Sequence, residues 1–508
     1  MSMELGTVIT TFEGPSPSGF SFVVTCNSRE IPVRRGQFVE LETEEGKMIA
    51  SVVNVIKTNR YFMRAESVKE YERGGKTFTS IFPADRWEYI IADARVVGIQ
   101  ADGGLERTSF PPSPGQKVYE AEVGTLSRFL GLDSNGGIEV GKLRYHDIPV
   151  KLDLTKLLRK HVAILSMSGG GKSYSASVMI EGLLERPPEK GRVGVIVVDV
   201  HGEYSSLAEK SGEADYSGHV SIIRGHELRI GVPNINAYQF KEFLSEITEV
   251  QVRELQRVLD ELRREMHSGK GPFGLDEVIE KIEQNSELHK QLQQALLGWL
   301  FNLRSLGIFE NVDNPNWESA VEPGEAVIVD LSDIVSLRKK QMLIAYMARR
   351  LFNARKNHRV PPFVLCLEEA HQFCPEGTAI SKGIIEMIAR EGRKFYASLI
   401  LISQRPVRLS TTVLSQANTN IILRVTNPYD LDHIKQSSEC ITSEVAEMIS
   451  SLPVGEALIV GEAVNYPIFV KIRKRRSHES THGISLEDAA QEFERRNHRA
   501  REDAKAFM

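Results

Sequence analysis

An α/β protein is predicted by this sequence: a parallel-sheet core with a small β-barrel before it, a helical insertion within it and a charged tail after it. Three observations carry that reading. Near-continuous apolar runs such as Val193-Gly194-Val195-Ile196-Val197-Val198-Asp199 belong in a parallel sheet covered on both faces. The first 150 residues hold many short β-branched and aromatic runs, which suggests a small barrel. From about 236 to 310 the apolar residues switch to three- and four-residue steps, the helical period.

The chain has 508 residues, enough for two or three domains. Its 41% hydrophobic and 26% charged residues are those of an ordinary soluble globular protein. A net charge of −5 argues against a uniformly basic nucleic-acid-coating protein but leaves room for a basic patch or channel. Cys26, Cys366, Cys374 and Cys440 form no CxxC pair, so no zinc site or disulfide framework is expected, and a reducing compartment fits. Met1-Ser2-Met3-Glu4-Leu5-Gly6 lacks the basic and apolar regions of a signal peptide. No apolar run approaches the roughly 18–20 residues of a membrane helix. A cytoplasmic protein without a membrane anchor is expected.

Residues 1–150 read as the barrel. Val8-Ile9, Phe20 to Val24, Phe38 to Leu41 and Ile49 to Val53 are separated by Gly and charged turns. Val96 to Ile99 and Val118 to Val123 flank the turn-rich Pro111-Pro112-Ser113-Pro114-Gly115. No catalytic constellation occurs here, and an assembly or docking module is expected.

The core is expected over 151–235 and 311–470. It opens with the apolar run Val162 to Leu165, then Ser166-Met167-Ser168-Gly169-Gly170-Gly171-Lys172-Ser173, then a helix from Tyr174 to Leu184 stopped by Pro187-Pro188. Strand, glycine loop, Lys-Ser and helix are the phosphate-binding P-loop. Backbone N–H groups of the loop and the helix N-terminus hold phosphate oxygens. Ser168, Gly169, Gly170, Gly171, Lys172, Ser173 and Tyr174 are the nucleotide-binding candidates. Lys172 reaches the β and γ phosphates of ATP, and the Ser173 hydroxyl sits on Mg²⁺. The usual first glycine of the loop is Ser166 here.

The insertion, 236–310, places Phe240, Phe243, Leu244 and Ile247 on one stripe, then Leu255, Val258, Leu259 and Leu262, then Leu292, Leu296, Trp299 and Leu303. Gly271-Pro272-Phe273-Gly274 interrupts it. Strands resume at Ala326 to Asp330, with a helix near Lys340 to Ala354, then at Phe363 to Glu369, Ala397 to Gln404, Ile421 to Arg424 and Ala457 to Val460. The tail, 471–508, opens with Lys471-Ile472-Arg473-Lys474-Arg475-Arg476 and ends in a charged helix starting at Ser485, with Asp488 completing a capping box.

An ATPase of this kind needs an acid at a strand end for Mg²⁺ and a carboxylate for the attacking water. Three strands end in acids: at Asp199, at Asp330 and at the Glu368-Glu369 pair. Only the pair supplies both functions. Glu368 is assigned to the Mg²⁺ shell, reaching the ion through water, and Glu369 to water activation. Asp199 and Glu203 are candidates to support that shell, because strand C-terminal ends line the ligand crevice of open α/β sheets. Asp330 reads as structural. Gln404, at the end of another strand, is placed to orient water or sense the γ-phosphate. Arg393 and Arg159 are candidates to neutralise charge in the transition state.

These residues together resemble the HerA family of hexameric DNA-translocating ATPases, within the wider HerA–FtsK group. The resemblance rests on the Gly-Gly-Gly-Lys-Ser loop, Asp199-Val200-His201-Gly202-Glu203-Tyr204 and Leu367-Glu368-Glu369-Ala370-His371. It continues through Arg390-Glu391-Gly392-Arg393-Lys394 and Ser403-Gln404-Arg405-Pro406. It implies a RecA-like core and a homo-hexameric ring with double-stranded DNA in the pore and ATP between subunits. It also implies a NurA-type nuclease partner in DNA end resection, with the barrel as the docking part. The family's trans-acting arginine maps to Arg159, with Lys160 beside it leaving one residue of ambiguity, and its cis arginine maps to Arg393.

A pore motor grips the phosphate backbone with a few basic groups per subunit. Arg405 and Arg408 are candidates. The Lys471 to Arg476 run offers a basic patch, although Ile472 within it also suits an edge strand with solvated charges. Two rival readings remain. One is an ATPase of the same group that moves protein or conjugative DNA at a membrane. The other is a nucleotide-dependent scaffold that assembles a nuclease.

Overall fold

The computed structural model describes the chain except for residues 1–2, 12–13, 26–32, 60–61, most of 63–87, 102–103, 133–134, 211–212, 245, 287, 438–440, 479–486, 489 and 496–508. Ser485, Cys26 and Cys440 lie outside the described residues. The chain forms two compact units, one of residues 1–175 and 403–474, the other of 176–402 and 475 onward.

The first unit begins with seven strands: β1 Glu4–Ile9, β2 Gly19–Val24, β3 Phe38–Thr43, β4 Gly46–Asn59, β5 Glu88–Ala101, β6 Gly104–Glu106 and β7 Lys117–Glu120. Their order is β2-β1-β7-β3-β4-β5-β6, and an added β2–β5 pairing closes the first six into a barrel. Closure removes the free edges that the six strands would otherwise expose. Alternation decides the inside: along β2, Phe20, Phe22 and Val24 are buried while the residues between them are not. With Leu5, Val8, Val39, Leu41, Met48 and Val118 they form the barrel core.

Next come β8 Ile138–Leu143, β9 Pro149–Leu152 and β10 Val162–Leu165, followed by helix α1, Lys172–Leu184. The turn between β8 and β9 carries His146, which accepts the Phe38 N–H on Nε2 at 3.1 Å. Burial holds its pKa down, to about 4. Glu120 Oε1, 3.9 Å from Nδ1, is too distant to hold a proton there by hydrogen bonding. The imidazole is therefore neutral when folded. The unfolded chain takes up that proton from about pH 6.5, and the folded chain only near pH 4, so stability falls as pH drops through this window. Between pH 7 and pH 5 the loss should be about 2 kcal/mol. His146→Gln keeps an acceptor but has no titrating group. Urea unfolding of the barrel unit at both pH values should show a smaller acid loss in the variant, and equal losses would refute the assignment.

The second unit holds β11 Gly194–Asp199, β12 Val220–Arg224, β13 Ile230–Gly231, β14 Phe309–Glu310, β15 Ala326–Asp330, β16 Phe363–Leu367 and β17 Ala397–Ser403. Five of them lie side by side as β12-β15-β11-β16-β17, and every pairing among them is parallel. The apolar runs of β11, β16 and β17 are buried along their whole length, as a sheet covered on both faces requires. The edge strand β12, Val-Ser-Ile-Ile-Arg, is not distinguished by composition, and sequence reasoning passed over it.

Between β13 and β14 lie four helices: α2 Ala237–Phe243, α3 Glu249–Glu265, α4 Leu275–Glu283 and α5 Lys290–Ser305. The predicted stripes face inward. Phe240, Leu255, Leu259, Leu296 and Leu303 are all buried, while Leu292 and Trp299 are half-buried. Capping boxes Asn236–Gln239 and Thr248–Gln251 start α2 and α3. Helix α6, Leu337–Lys356, replaces the predicted Lys340 to Ala354 and is buried over most of its length. Helix α7, Lys382–Glu391, leads into a 3₁₀ turn, Gly392–Phe395. A Cβ at Gly392 would lie 2.2 Å from the Ala397 carbonyl oxygen, so only glycine lets this turn pass beneath β17.

The first unit resumes with β18 Thr419–Ile422, helix α8 Pro428–Ser437, β19 Glu456–Gly461 and β20 Ile468–Ile472. Within it β18 runs parallel to β10, and β19, β20, β8 and β9 follow antiparallel. β20 is thus paired on both sides, which corrects the edge-strand reading of the Lys471 region. Nor is that run a free basic patch. Arg473 donates to the Glu139 carbonyl within the first unit. Within the second, Arg475 donates to Ser206 Oγ, and Arg476 pairs with Glu185 at 2.7 Å. The fully buried Glu181 of α1 accepts the Arg476 and Ser477 N–H groups and the Ser477 hydroxyl.

Candidate functional site

In the first unit, β10 ends at Leu165 and the chain turns at once into the phosphate loop. Two backbone bonds hold its first residues: Ser166 N–H donates to the Ser403 carbonyl at 3.2 Å and Met167 N–H to the Arg424 carbonyl at 2.9 Å. Gly169 and Gly171 have φ of +73° and +90°, a region other residues adopt only under strain. Ser166 is buried where the motif usually has glycine, and its Oγ donates to the Met167 carbonyl at 2.7 Å. A Cβ at Gly170 would stand 3.0 Å from that Oγ, so Gly170 makes the room that Ser166 uses. Helix α1 then starts at Lys172, two residues earlier than predicted, and Ser175 Oγ caps back to the Gly171 carbonyl at 3.0 Å. Ser168 and Gly169 are exposed, while Lys172, Ser173 and Tyr174 are half-buried at the helix start. The exposed loop and the helix N-terminus beside it are placed to meet an anion.

In the second unit the C-terminal ends of β11, β15 and β16 gather carboxylates. Asp199 is fully buried: its Oδ1 accepts the N–H groups of His201, Gly202 and Glu203, and its Oδ2 that of Tyr204. It therefore shapes the 199–204 loop. Burial pushes the Asp199 carboxyl up, opposed by its backbone donors and by Glu368. Glu368 is also fully buried, with Oε2 accepting the Val200 N–H at 2.8 Å. Glu203 enters only through its N–H. Asp330 accepts the Ser332 N–H at 3.0 Å in a local turn, a structural use.

Glu369 lies one residue past β16 with φ 46° and ψ 47°, the left-handed region, and is almost fully buried. That conformation costs a non-glycine residue about 1–3 kcal/mol and is found where function over-determines geometry. His371 Nδ1 stands 3.3 Å from Glu369 Oε2.

The arginines differ in availability. Lys160 is held by Glu462 at 2.5 Å, while Arg159, the C-cap of the short helix Leu154–Leu158, is exposed. Arg393 is exposed on the 3₁₀ turn that Gly392 permits. Gln404 is half-buried after β17, with Arg405 and Arg408 exposed on the following turn, where Val407 N–H donates to Asp430 at 3.1 Å.

Sequence reasoning missed three residues. Lys340 is buried on α6, where desolvation lowers its pKa against the pull of Asp333, Glu368, Asp330 and Asp199. Tyr204 is wholly buried, and burial, with the Glu368 and Asp199 charges, raises its phenol well above the usual value. Arg424 is exposed beside the phosphate loop. The polar density after Asp199 was the available signal for Tyr204. Nothing in the local sequence marks the other two, because they depend on which strand and helix lie alongside.

Each unit offers an oxygen donor of the kind magnesium takes, the Ser173 hydroxyl in the first and the Glu368 carboxyl in the second. Magnesium keeps several waters and takes one or two protein oxygens beside the phosphates. Among the described residues no cluster of three or more His, Cys, Asp or Glu forms a cage of its own.

A phosphate loop joining a parallel strand to a helix, and a glutamate pair ending another parallel strand, define a RecA-like P-loop ATPase. Residues 138–351 match the family model described as the central domain of helicase HerA. The probable helicase MJ1565 of Methanocaldococcus jannaschii is 27% identical over 89% of this chain and 88% of its own. The DNA double-strand break repair helicase HerA of Pyrococcus furiosus is 27% identical over 86% of this chain and 87% of its own. The structure of VirB4 from Thermoanaerobacter pseudethanolicus shares the fold, with a TM-score of 0.51 at 18% identity, covering 67% of this chain and 98% of that one. The likeness to the HerA family read from the motifs is thereby borne out.

Proposed function

We propose that this chain is an ATP-driven DNA translocase or helicase. It works as a homo-hexameric ring on double-stranded DNA, with a NurA-type nuclease, in DNA end resection for double-strand break repair. The observation that carries the reading is Glu369: a buried carboxylate held in a strained conformation at a strand end, in a chain with a complete phosphate loop. The names of the HerA relatives supply the DNA repair context. No helix among the described residues is long and apolar enough to cross a membrane.

In this reading the loop N–H groups, the α1 N-terminus and Lys172 bind the triphosphate. Ser173, and Glu368 through water, would hold Mg²⁺, which supplies neutralising charge at the β and γ phosphates. Glu369 takes the proton of the attacking water, and Gln404 orients that water. Arg393 from the same subunit and Arg159 from a neighbour neutralise transition-state charge. Arg405 and Arg408 grip the DNA backbone.

The test is ATP hydrolysis with and without linear duplex DNA, for wild type and Lys172→Ala. DNA should stimulate the wild type, and the variant should lose that stimulated rate. Hydrolysis indifferent to every DNA offered would overturn the motor and favour the scaffold or a protein-handling ATPase.

A further inference from the structure

We infer that Arg424 is a further nucleotide-contacting residue, whose guanidinium binds the phosphate chain of ATP seated on the loop of its own subunit. The inference rests on the ATPase reading above and adds a residue to it. Strands β10 and β18 are parallel, with Leu165 opposite Ile422. Continuing that register past the strand ends puts Arg424 opposite Met167, where the phosphate loop begins. The Met167 N–H donates to the Arg424 carbonyl at 2.9 Å, and the Leu423 N–H to the Leu165 carbonyl at 2.9 Å, so the two chains stay locked together into the loop. Leu423 packs under the loop, 3.5 Å from where a Cβ of Gly171 would stand, and Thr426 Oγ1 lies 3.7 Å from Met167 Sδ.

Leu423 and Val425 are buried on either side, while Arg424 is exposed. The backbone is thus fixed by the loop it serves, and only the side chain is free. No ion pair or hydrogen bond of its guanidinium is formed among the described residues, in contrast to Lys160 with Glu462. An arginine without a carboxylate partner among the described residues, at the C-terminal end of a parallel strand and adjoining the phosphate loop, matches phosphate by charge and by its planar fork of donors. Ligands of open α/β sheets bind at that end of the strands.

Steady-state ATP hydrolysis and ATP and ADP binding by the full chain test this in wild type, Arg424→Ala, Arg424→Lys and Lys172→Ala. Arg424→Ala should raise the KM for ATP about tenfold to a hundredfold, the range of one charge-assisted hydrogen bond, with a smaller change in kcat. Arg424→Lys should recover part of the affinity, which a purely structural loss would not allow. An unchanged KM and ATP affinity in Arg424→Ala, with hydrolysis lost in Lys172→Ala, overturns the inference and leaves the ATPase reading standing. Weaker binding of duplex DNA at unchanged ATP affinity also overturns it, by making Arg424 a DNA contact. Hydrolysis insensitive to Lys172→Ala defeats the ATPase reading itself.

Discussion

Glu369→Gln should bind ATP as the wild type does and hydrolyse it about a hundredfold to ten-thousandfold more slowly, the range over which a positioned general base contributes. The substitution keeps size and hydrogen-bonding capacity, so the backbone at φ 46° and the neighbour His371 at 3.3 Å retain a partner of the same shape. What it removes is the ability to accept a proton. The burial of Glu369 sharpens the expectation, because little solvent is at hand to replace the missing base. Single-turnover hydrolysis, with binding of a fluorescent ATP analogue on the same preparation, separates chemistry from affinity. A rate within tenfold of wild type would remove Glu369 from the mechanism and shift attention to Asp199. The variant also divides motor from scaffold. If Glu369→Gln, loaded with ATP, still activates a partner nuclease fully, hydrolysis is not what the partner needs.

The sequence revealed strands wherever an apolar run was long enough to fill a doubly covered sheet. Val162 to Leu165 emerged with its bounds unchanged, and the run from Phe363 to Glu369 is strand over its apolar part, Phe363–Leu367. The phosphate loop was legible because its conformation is written in residue types: glycines where φ is positive, Lys-Ser where a helix begins. Sequence gave no means to see pairings between distant segments. Whether Lys471 to Arg476 forms a free patch depends on β8 lying alongside β20 and on Glu181 and Glu185 of α1 meeting the tail. Basic composition alone pointed the other way. Asp199 shows the same limit. Its place at a strand end was readable, but not that one carboxylate serves four backbone N–H groups. Such satisfaction of buried polar groups is decided only when the loop closes.

Arg159→Ala should lower ATP hydrolysis about a thousandfold, as loss of an arginine finger does, while Lys160→Ala retains most of the rate. Sequence left these two neighbours undecided, and the structure separates them by charge pairing. The Lys160 ammonium is neutralised by Glu462 at 2.5 Å, whereas Arg159 is exposed at the end of its short helix. A group serving a neighbouring subunit has to be free on its own. The proposed ring makes this testable by complementation. Arg159→Ala keeps its own loop and Glu369, and Glu369→Gln keeps its arginine. In a head-to-tail ring, co-expression at equal amounts should join an intact arginine to an intact glutamate at about a quarter of the interfaces, restoring hydrolysis from two variants that are each inactive. A co-expressed mixture as inactive as its components, when wild-type subunits mixed with Glu369→Gln do assemble, places Arg159 on its own subunit's nucleotide.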